Sequence, residues 1–132
     1  MKPGQPTIVF DWNCTLLDDI DLVLEATNAL LAHGRKPPID LLTYQTRITL
    51  PLQDFYRSVG FSTAELEQGF AAIQDVFHDY YEARVHTQQL RRGAVELLAA
   101  AEAAGVPCVI LSNHLEQPIR VQLERLNIHQ HF

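Results

Sequence analysis

Residues 7–18 read TIVFDWNCTLLD, and this stretch decides the fold. Its first four residues are β-branched or aromatic, and prolines and a glycine precede them, which is typical of a short buried strand in a parallel sheet. Polar side chains follow at once, namely those of Asp11, Asn13 and Thr15. We therefore predict a strand over residues 7–10 that presents a carboxylate, an amide and a hydroxyl at its carboxyl end.

A second apolar run, VPCVIL, occupies residues 106–111 and ends in Ser112 and Asn113. Strands that are joined through a helical crossover lie parallel, and ligands bind beyond the carboxyl ends of such strands. We therefore expect Asp11 and Ser112 to lie close together in space, although about a hundred residues separate them in the chain.

Helical periodicity predicts the segments between and after these strands. We expect five helices, over residues 22–31, 39–60, 62–80, 94–104 and 116–126. The second should be interrupted at Pro51, and the third should begin at the capping box of Ser62 and Glu65. The acidic residues Asp18, Asp19 and Asp21 suit the positive end of the first helix dipole. In the fourth helix we expect Val95, Leu97 and Leu98 to face the core.

Composition excludes several classes of protein. Hydrophobic residues make up 47% of the chain, which is enough for a buried core, and the net charge of −6 argues against a nucleic-acid-binding protein. No apolar run reaches the roughly 18 residues that span a membrane. The two cysteines, Cys14 and Cys108, cannot form a disulfide scaffold or a four-cysteine zinc site. Because the first ten residues lack the pattern of a signal peptide, we expect a cytoplasmic protein.

A carboxylate at a strand end can act as a nucleophile or bind a hard cation such as Mg²⁺. A serine hydroxyl with nearby backbone amides can bind a phosphoryl group. The alternative is that Asp11 only caps a turn and Ser112 only caps the last helix. The occurrence of both residues directly after apolar strands favours a functional site.

Residues 8–18 resemble the first motif of the haloacid dehalogenase-like hydrolase superfamily, which reads Asp-x-Asp-Gly-Thr-Leu after a strand. Residues 109–113 resemble its second motif, a strand that ends in serine or threonine. Residues 90–98 resemble the segment that leads into that strand, with Arg92 where proline is usual. Residues 50–52 resemble part of the helical cap in the phosphoglycolate phosphatase-like branch.

The resemblance implies an α/β fold with a Rossmann-like parallel-sheet core and an inserted helical cap. Residues 1–18 and 88–132 would form the core, which is incomplete with two strands, and residues 19–87 would form the cap.

The resemblance also implies a Mg²⁺-dependent phosphatase that acts on a small phosphorylated metabolite through an aspartyl-phosphate intermediate. Asp11 would attack phosphorus, and Asp11 with the backbone carbonyl of Asn13 would bind Mg²⁺. Ser112, Asn113 and Thr15 would bind the substrate phosphate. Asn13 occupies the position of the catalytic acid and base.

The chain departs from the family pattern in three places. Asn13 replaces the aspartate that acts as acid and base, and an amide cannot transfer a proton at neutral pH. Cys14 replaces a glycine. The chain reaches Phe132 before the family's third motif, a lysine, and its fourth, an acidic pair, and neither Lys2 nor Lys36 can serve as that lysine.

These departures leave other interpretations open. We expect the chain either to be a piece of a longer protein or to have its sheet completed by another copy, in a homo-oligomer or by strand exchange. A catalytically impaired fragment that acts as a binding or assembly module stays an alternative. A phosphonate or haloacid hydrolase is another alternative.

Overall fold

The computed structural model describes residues 3–132 as an α/β chain. Its strands are β1 (Ile8–Phe10), β2 (Leu17–Asp18), β3 (Gln89–Leu90) and β4 (Cys108–Ile110). Its helices are α1 (Ile20–His33), α2 (Leu41–Arg47), α3 (Leu52–Ser58), α4 (Thr63–Glu82), α5 (Ala94–Ala103) and α6 (Glu116–Arg125), with 3₁₀ turns at Val85–Thr87 and His129–His131. Lys2, one of the two lysines considered above, lies outside the described residues.

The chain divides into two compact units. One comprises Met1–Ile20 and His86–Phe132 and contains all the strands, and the other comprises Asp21–Val85 and is helical. The assignment of the first unit as a hydrolase core and of the second as a cap stays a prediction. No helix within residues 3–132 has the length and apolar character that a membrane crossing requires.

Strands β1 and β4 form a parallel pair, as the two apolar runs predict. Phe10 lies opposite Ile110 in the register, and the backbone N–H of Leu111 donates a hydrogen bond to the carbonyl of Phe10 at 2.9 Å. Because both strands run in the same direction, the residues that follow Phe10 and Ile110 leave the sheet at the same edge.

An antiparallel ribbon of β2 and β3 was not predicted. Leu17 pairs with Leu90, Asp18 pairs with Gln89, and the N–H of Arg91 donates to the carbonyl of Leu16 at 2.8 Å. Strands of two residues are too short to show the alternation by which a strand is recognised in sequence. The ribbon fixes the chain immediately after the loop that carries Asp11.

The helical unit Asp21–Val85 has a core of its own. Its buried members come from α1, α3 and α4 and from the segment between the last two: Leu30, Leu31, Phe55, Tyr56, Val59, Phe61, Leu66 and Ile73. The predicted capping box is confirmed, since Ser62 accepts a hydrogen bond from the N–H of Glu65 and the carboxylate of Glu65 accepts one from the N–H of Ser62. The predicted interruption near Pro51 is also confirmed, because α2 ends at Arg47 and α3 begins at Leu52.

The prediction for the buried face of α5 is right at Leu98, which is fully buried, and wrong at Val95 and Leu97, which are 50% and 47% exposed. The buried residues are Ala94, Leu98 and Ala101, which follow the spacing of one helical stripe. Alanines occupy the close-packed side of this helix, so the two larger apolar side chains lie off the stripe.

Candidate functional site at the strand ends

Asp11 directly follows β1, and its carboxylate is exposed at the carboxyl end of the sheet. Its Oδ1 accepts a hydrogen bond from the backbone N–H of Trp12 at 2.8 Å, and its Oδ2 accepts one from the hydroxyl of Thr15 at 3.2 Å. These two donors orient the carboxylate. A carboxylate oxygen can accept further contacts, so the exposed group can still contact a ligand.

The loop after β1 folds back on itself around Trp12, which is only 1% exposed. The carbonyl of Trp12 accepts hydrogen bonds from the N–H groups of Thr15 at 3.3 Å and Leu17 at 3.1 Å. Cys14 adopts a φ of 60°, in the left-handed region that favours glycine. A side chain in this conformation is strained, and a glycine at position 14 would relieve that strain.

A second carboxylate, that of Asp19, lies beneath the loop and was not among the predicted site residues. Asp19 is fully buried. Its Oδ1 accepts a hydrogen bond from the N–H of Cys14 at 2.6 Å, and its Oδ2 accepts one from the side-chain Nδ2 of Asn13 at 2.8 Å. An aspartate just before a helix is expected to face solvent and the helix dipole, so the sequence carried no signal for this buried position.

The Cys14 thiol is half-buried and lies beside the Asp19 carboxylate. Burial raises the pKa of Cys14 to about 12, and the negative charge and hydrogen bond of Asp19 act in the same direction. The positive charge of Arg91 opposes this shift; the Arg91 guanidinium donates to the carbonyl of Cys14 at 3.0 Å. A thiol with this pKa is protonated at neutral pH, which argues against a nucleophilic role for Cys14.

Ser112 and Asn113 follow β4. The Ser112 hydroxyl oxygen accepts a hydrogen bond from the N–H of His114 at 3.1 Å, and the side chain is partly buried, whereas Asn113 is exposed. Helix α6 begins at Glu116, its N-cap is Leu115, and no side chain caps it. The alternative that Ser112 caps the last helix is therefore wrong.

A cavity of about 490 Å³ opens on the α6 side of Ser112. Apolar side chains form one part of its lining: Ile110, Leu111, Ile119, Leu123 and Phe132. Polar side chains form the other part: Ser112, His114, Glu116, Arg120, Glu124 and His129. Asp11 is not among the lining residues, so the cavity adjoins the serine and does not enclose the carboxylate.

The structure thus places the predicted site residues on two segments at one edge of the β1–β4 sheet. Asp11, Asn13 and Thr15 lie on the first segment, and Ser112 and Asn113 lie on the second. The side chain of Asn13 donates to Asp19 at 2.8 Å. The catalytic and binding roles of these residues stay predictions.

The segment after β1 offers oxygen donors for a metal ion. Within residues 3–132 no group of three or more His, Cys, Asp and Glu side chains is arranged to hold a metal. The Asp11 carboxylate and the Asn13 carbonyl are the ligand type that Mg²⁺ takes, and Mg²⁺ commonly keeps several water ligands beside one or two carboxylates. The negative charges of Asp11 and Asp19 beside the loop also favour a cation.

The chain resembles proteins of one family throughout its length. A family model of haloacid dehalogenase-like hydrolases matches residues 8–132. A comparison with curated proteins gives no significant match.

Solved structures share the fold. A haloacid dehalogenase-like hydrolase from Streptococcus pneumoniae is 20% identical with a TM-score of 0.79, and the match covers 99% of this chain and 60% of that one. A predicted phosphatase from Clostridium acetobutylicum is 19% identical with a TM-score of 0.79, covering 97% and 58%. A predicted phosphoglycolate phosphatase from Haemophilus somnus is 17% identical with a TM-score of 0.72, covering 97% and 60%. The chain therefore spans about 60% of the length of these structures.

Proposed function

The chain belongs to the haloacid dehalogenase-like hydrolase family, and we propose that it carries the nucleophile and the phosphate contacts of a Mg²⁺-dependent phosphatase. Its substrate would be a small phosphorylated metabolite. The observation that carries the proposal is the register of β1 and β4, because it directs an exposed aspartate and a serine to the same edge of a parallel sheet. Ligands of parallel α/β sheets bind at this edge.

In the proposed reaction an oxygen of Asp11 attacks the phosphorus atom of the substrate, and the bond to the leaving oxygen breaks. The N–H of Trp12 and the hydroxyl of Thr15 orient the attacking carboxylate. The hydroxyl of Ser112, assisted by the backbone at Asn113, donates to the transferring phosphoryl group. Water then hydrolyses the aspartyl-phosphate and releases inorganic phosphate.

The Asp11 carboxylate and the Asn13 backbone carbonyl would hold Mg²⁺. When bound, the ion supplies positive charge that offsets the repulsion between an aspartate and an anionic phosphate. The negative charges of Asp11 and Asp19 beside this loop support a cation at this position.

Protonation of the leaving group should limit the rate of this mechanism, because the chain lacks the usual general acid at position 13. General acid catalysis contributes about 10²–10⁴-fold to a rate, and the amide of Asn13 cannot supply it. Turnover should therefore be slow on alkyl phosphates and faster on aryl phosphates, whose leaving groups need no proton.

The side-chain amide of Asn13 is hydrogen-bonded to Asp19 and cannot transfer a proton. This supports a second candidate function, a module that binds phosphate or assembles with a partner but does not turn over a substrate. In the described residues each strand of the β1–β4 pair has a single sheet neighbour, and Val9 and Leu111 are 57% and 74% exposed. Strands of a second copy would complete this sheet, by oligomerisation or strand exchange.

The test is the hydrolysis of para-nitrophenyl phosphate in the presence of Mg²⁺ by the parent chain, Asp11→Asn and Asp75→Asn. Asp75 is an exposed aspartate in α4, so its substitution controls for the lost charge. We expect hydrolysis by the parent and by Asp75→Asn, and none by Asp11→Asn. Equal rates for the parent and Asp11→Asn would contradict the phosphatase proposal. Phosphate binding without any hydrolysis would favour the binding module.

A further inference from the structure

We propose that Asp19 is a positioning residue matched to Asn13, so that the carboxylate missing at position 13 can be restored only if position 19 changes with it. The inference deepens the proposed function, but only its hydrolysis measurement rests on that function. Its structural part stands on the contacts beneath the loop.

The first observation is that both oxygens of the Asp19 carboxylate accept hydrogen bonds. Its Oδ1 accepts from the N–H of Cys14 at 2.6 Å, and its Oδ2 accepts from Nδ2 of Asn13 at 2.8 Å. Asp19 itself is fully buried. A buried carboxylate is strongly unfavourable without such donors, so the loop and Asp19 stabilise each other.

The second observation is that position 13 supplies a hydrogen-bond donor and position 19 an acceptor. The contact between positions 13 and 19 joins one donor, an amide N–H, to one acceptor, a carboxylate oxygen. An aspartate at position 13 would remove the donor and bring two carboxylates into contact at a partly buried site. Like charges in such contact repel strongly, because the protein interior screens them poorly.

Exchanging the two side chains keeps both of the hydrogen bonds described above. In the double variant Asn13→Asp with Asp19→Asn, the Oδ1 of residue 19 still accepts from the Cys14 N–H. Its Nδ2 would now donate to the new carboxylate at position 13. The pair then has the same bond with donor and acceptor reversed.

The experiment compares the parent with Asn13→Asp alone, with Asn13→Asp plus Asp19→Asn, and with Asn13→Asp plus Asp75→Asn. The two double variants have equal net charge, but only the first changes the partner of residue 13. We expect Asn13→Asp to lower the urea midpoint of unfolding by about 1 M, because one partly buried polar pair is lost. The exchange with Asp19→Asn should recover most of that loss, and the pairing with Asp75→Asn should recover none.

Equal midpoints for the two double variants would overturn the proposal. Should Asn13→Asp fail to fold, an NMR measurement on the parent decides. The side-chain amide protons of Asn13 and the backbone proton of Cys14 should exchange slowly with solvent, and exchange at the rate of the exposed Asn113 side chain would equally overturn it.

Hydrolysis of an alkyl phosphate such as glycerol phosphate, followed by the release of inorganic phosphate, adds a measurement that a purely structural role would not change, because its leaving group needs a proton. The exchanged pair should hydrolyse it faster than the charge-matched double variant, since only the exchanged pair positions a carboxylate at residue 13. Recovery of the midpoint without hydrolysis by any variant supports the pairing and counts against the phosphatase proposal instead.

Discussion

The two segments that leave the β1–β4 sheet differ in how the chain supports them. The segment after β1 lies over the buried Asp19 and around the buried Trp12, and hydrogen bonds fix its backbone at Cys14, Thr15 and Leu17. The segment after β4 is partly buried at Ser112 and exposed at Asn113 and Leu115, and the Ser112 hydroxyl accepts a bond from its own segment.

This difference indicates that the segments after β1 and β4 have different roles in the candidate site. A nucleophile gains from a fixed position, because a group oriented before the reaction needs no reorganisation during it. A segment that contacts the phosphate can adjust as the ligand arrives. Three predictions test this contrast, in order of decreasing effect.

Replacing Trp12 should have the largest effect. Truncation of a fully buried aromatic side chain costs about 3–5 kcal/mol, so we expect Trp12→Ala to lower the free energy of unfolding by that amount. Leu111→Ala, at a side chain that is 74% exposed, should change it by less than about 0.5 kcal/mol. Urea unfolding measures both values, and similar small losses would mean that the two segments are equally weakly supported.

The thiol of Cys14 should react slowly in the folded chain. Its pKa is raised from 9.0 to about 12, and only the thiolate is alkylated. At about pH 8 the folded thiol should therefore react with iodoacetamide roughly a thousandfold more slowly than in urea, at tenfold per pKa unit. Mass spectrometry of the peptide that contains Cys14 gives the rate.

The raised pKa of Cys14 also determines how the free energy of unfolding depends on pH. Because folding raises the pKa of Cys14 above its unfolded value of 9.0, this group favours the folded state below pH 9.0 and loses that contribution as the pH rises toward 12. Equal alkylation rates in the folded and unfolded chain would contradict a fixed loop after β1, because they would show that this loop opens freely.

Two serines should show opposite behaviour. Ser112→Ala should lower kcat by about 10²-fold, the effect of removing one donor to a developing negative charge, and leave the urea midpoint nearly unchanged. Ser62→Ala removes a helix cap, so it should cost about 1 kcal/mol of stability and leave hydrolysis unchanged. A loss of stability in Ser112→Ala as large as that in Ser62→Ala would mean that Ser112 is structural.

The sequence predicted the features that depend on continuous patterns. The apolar runs at residues 7–10 and 106–111 correspond to β1 and β4, and their parallel pairing followed from the helical connection. The capping box at Ser62 was also readable, because its two partners lie three residues apart on one helix turn. Local spacing is enough to specify each of these features.

Features that depend on three-dimensional packing were not predicted. The burial of Asp19 arises only once the loop folds back over it, and an aspartate before a helix gives no indication of that. Val95 and Leu97 were wrongly expected in the core because hydrophobicity favoured them over Ala94 and Ala101. Close packing against the buried face of α5 favours the small side chains of Ala94 and Ala101 there.

The most direct test of the site is an NMR titration of the parent chain with inorganic phosphate in the presence of Mg²⁺. If one anion is held between the two segments, the backbone amides of residues 12–15 and those of residues 112–113 should shift together and with a single midpoint. Shifts confined to one segment, or two separate midpoints, would contradict a shared phosphate site.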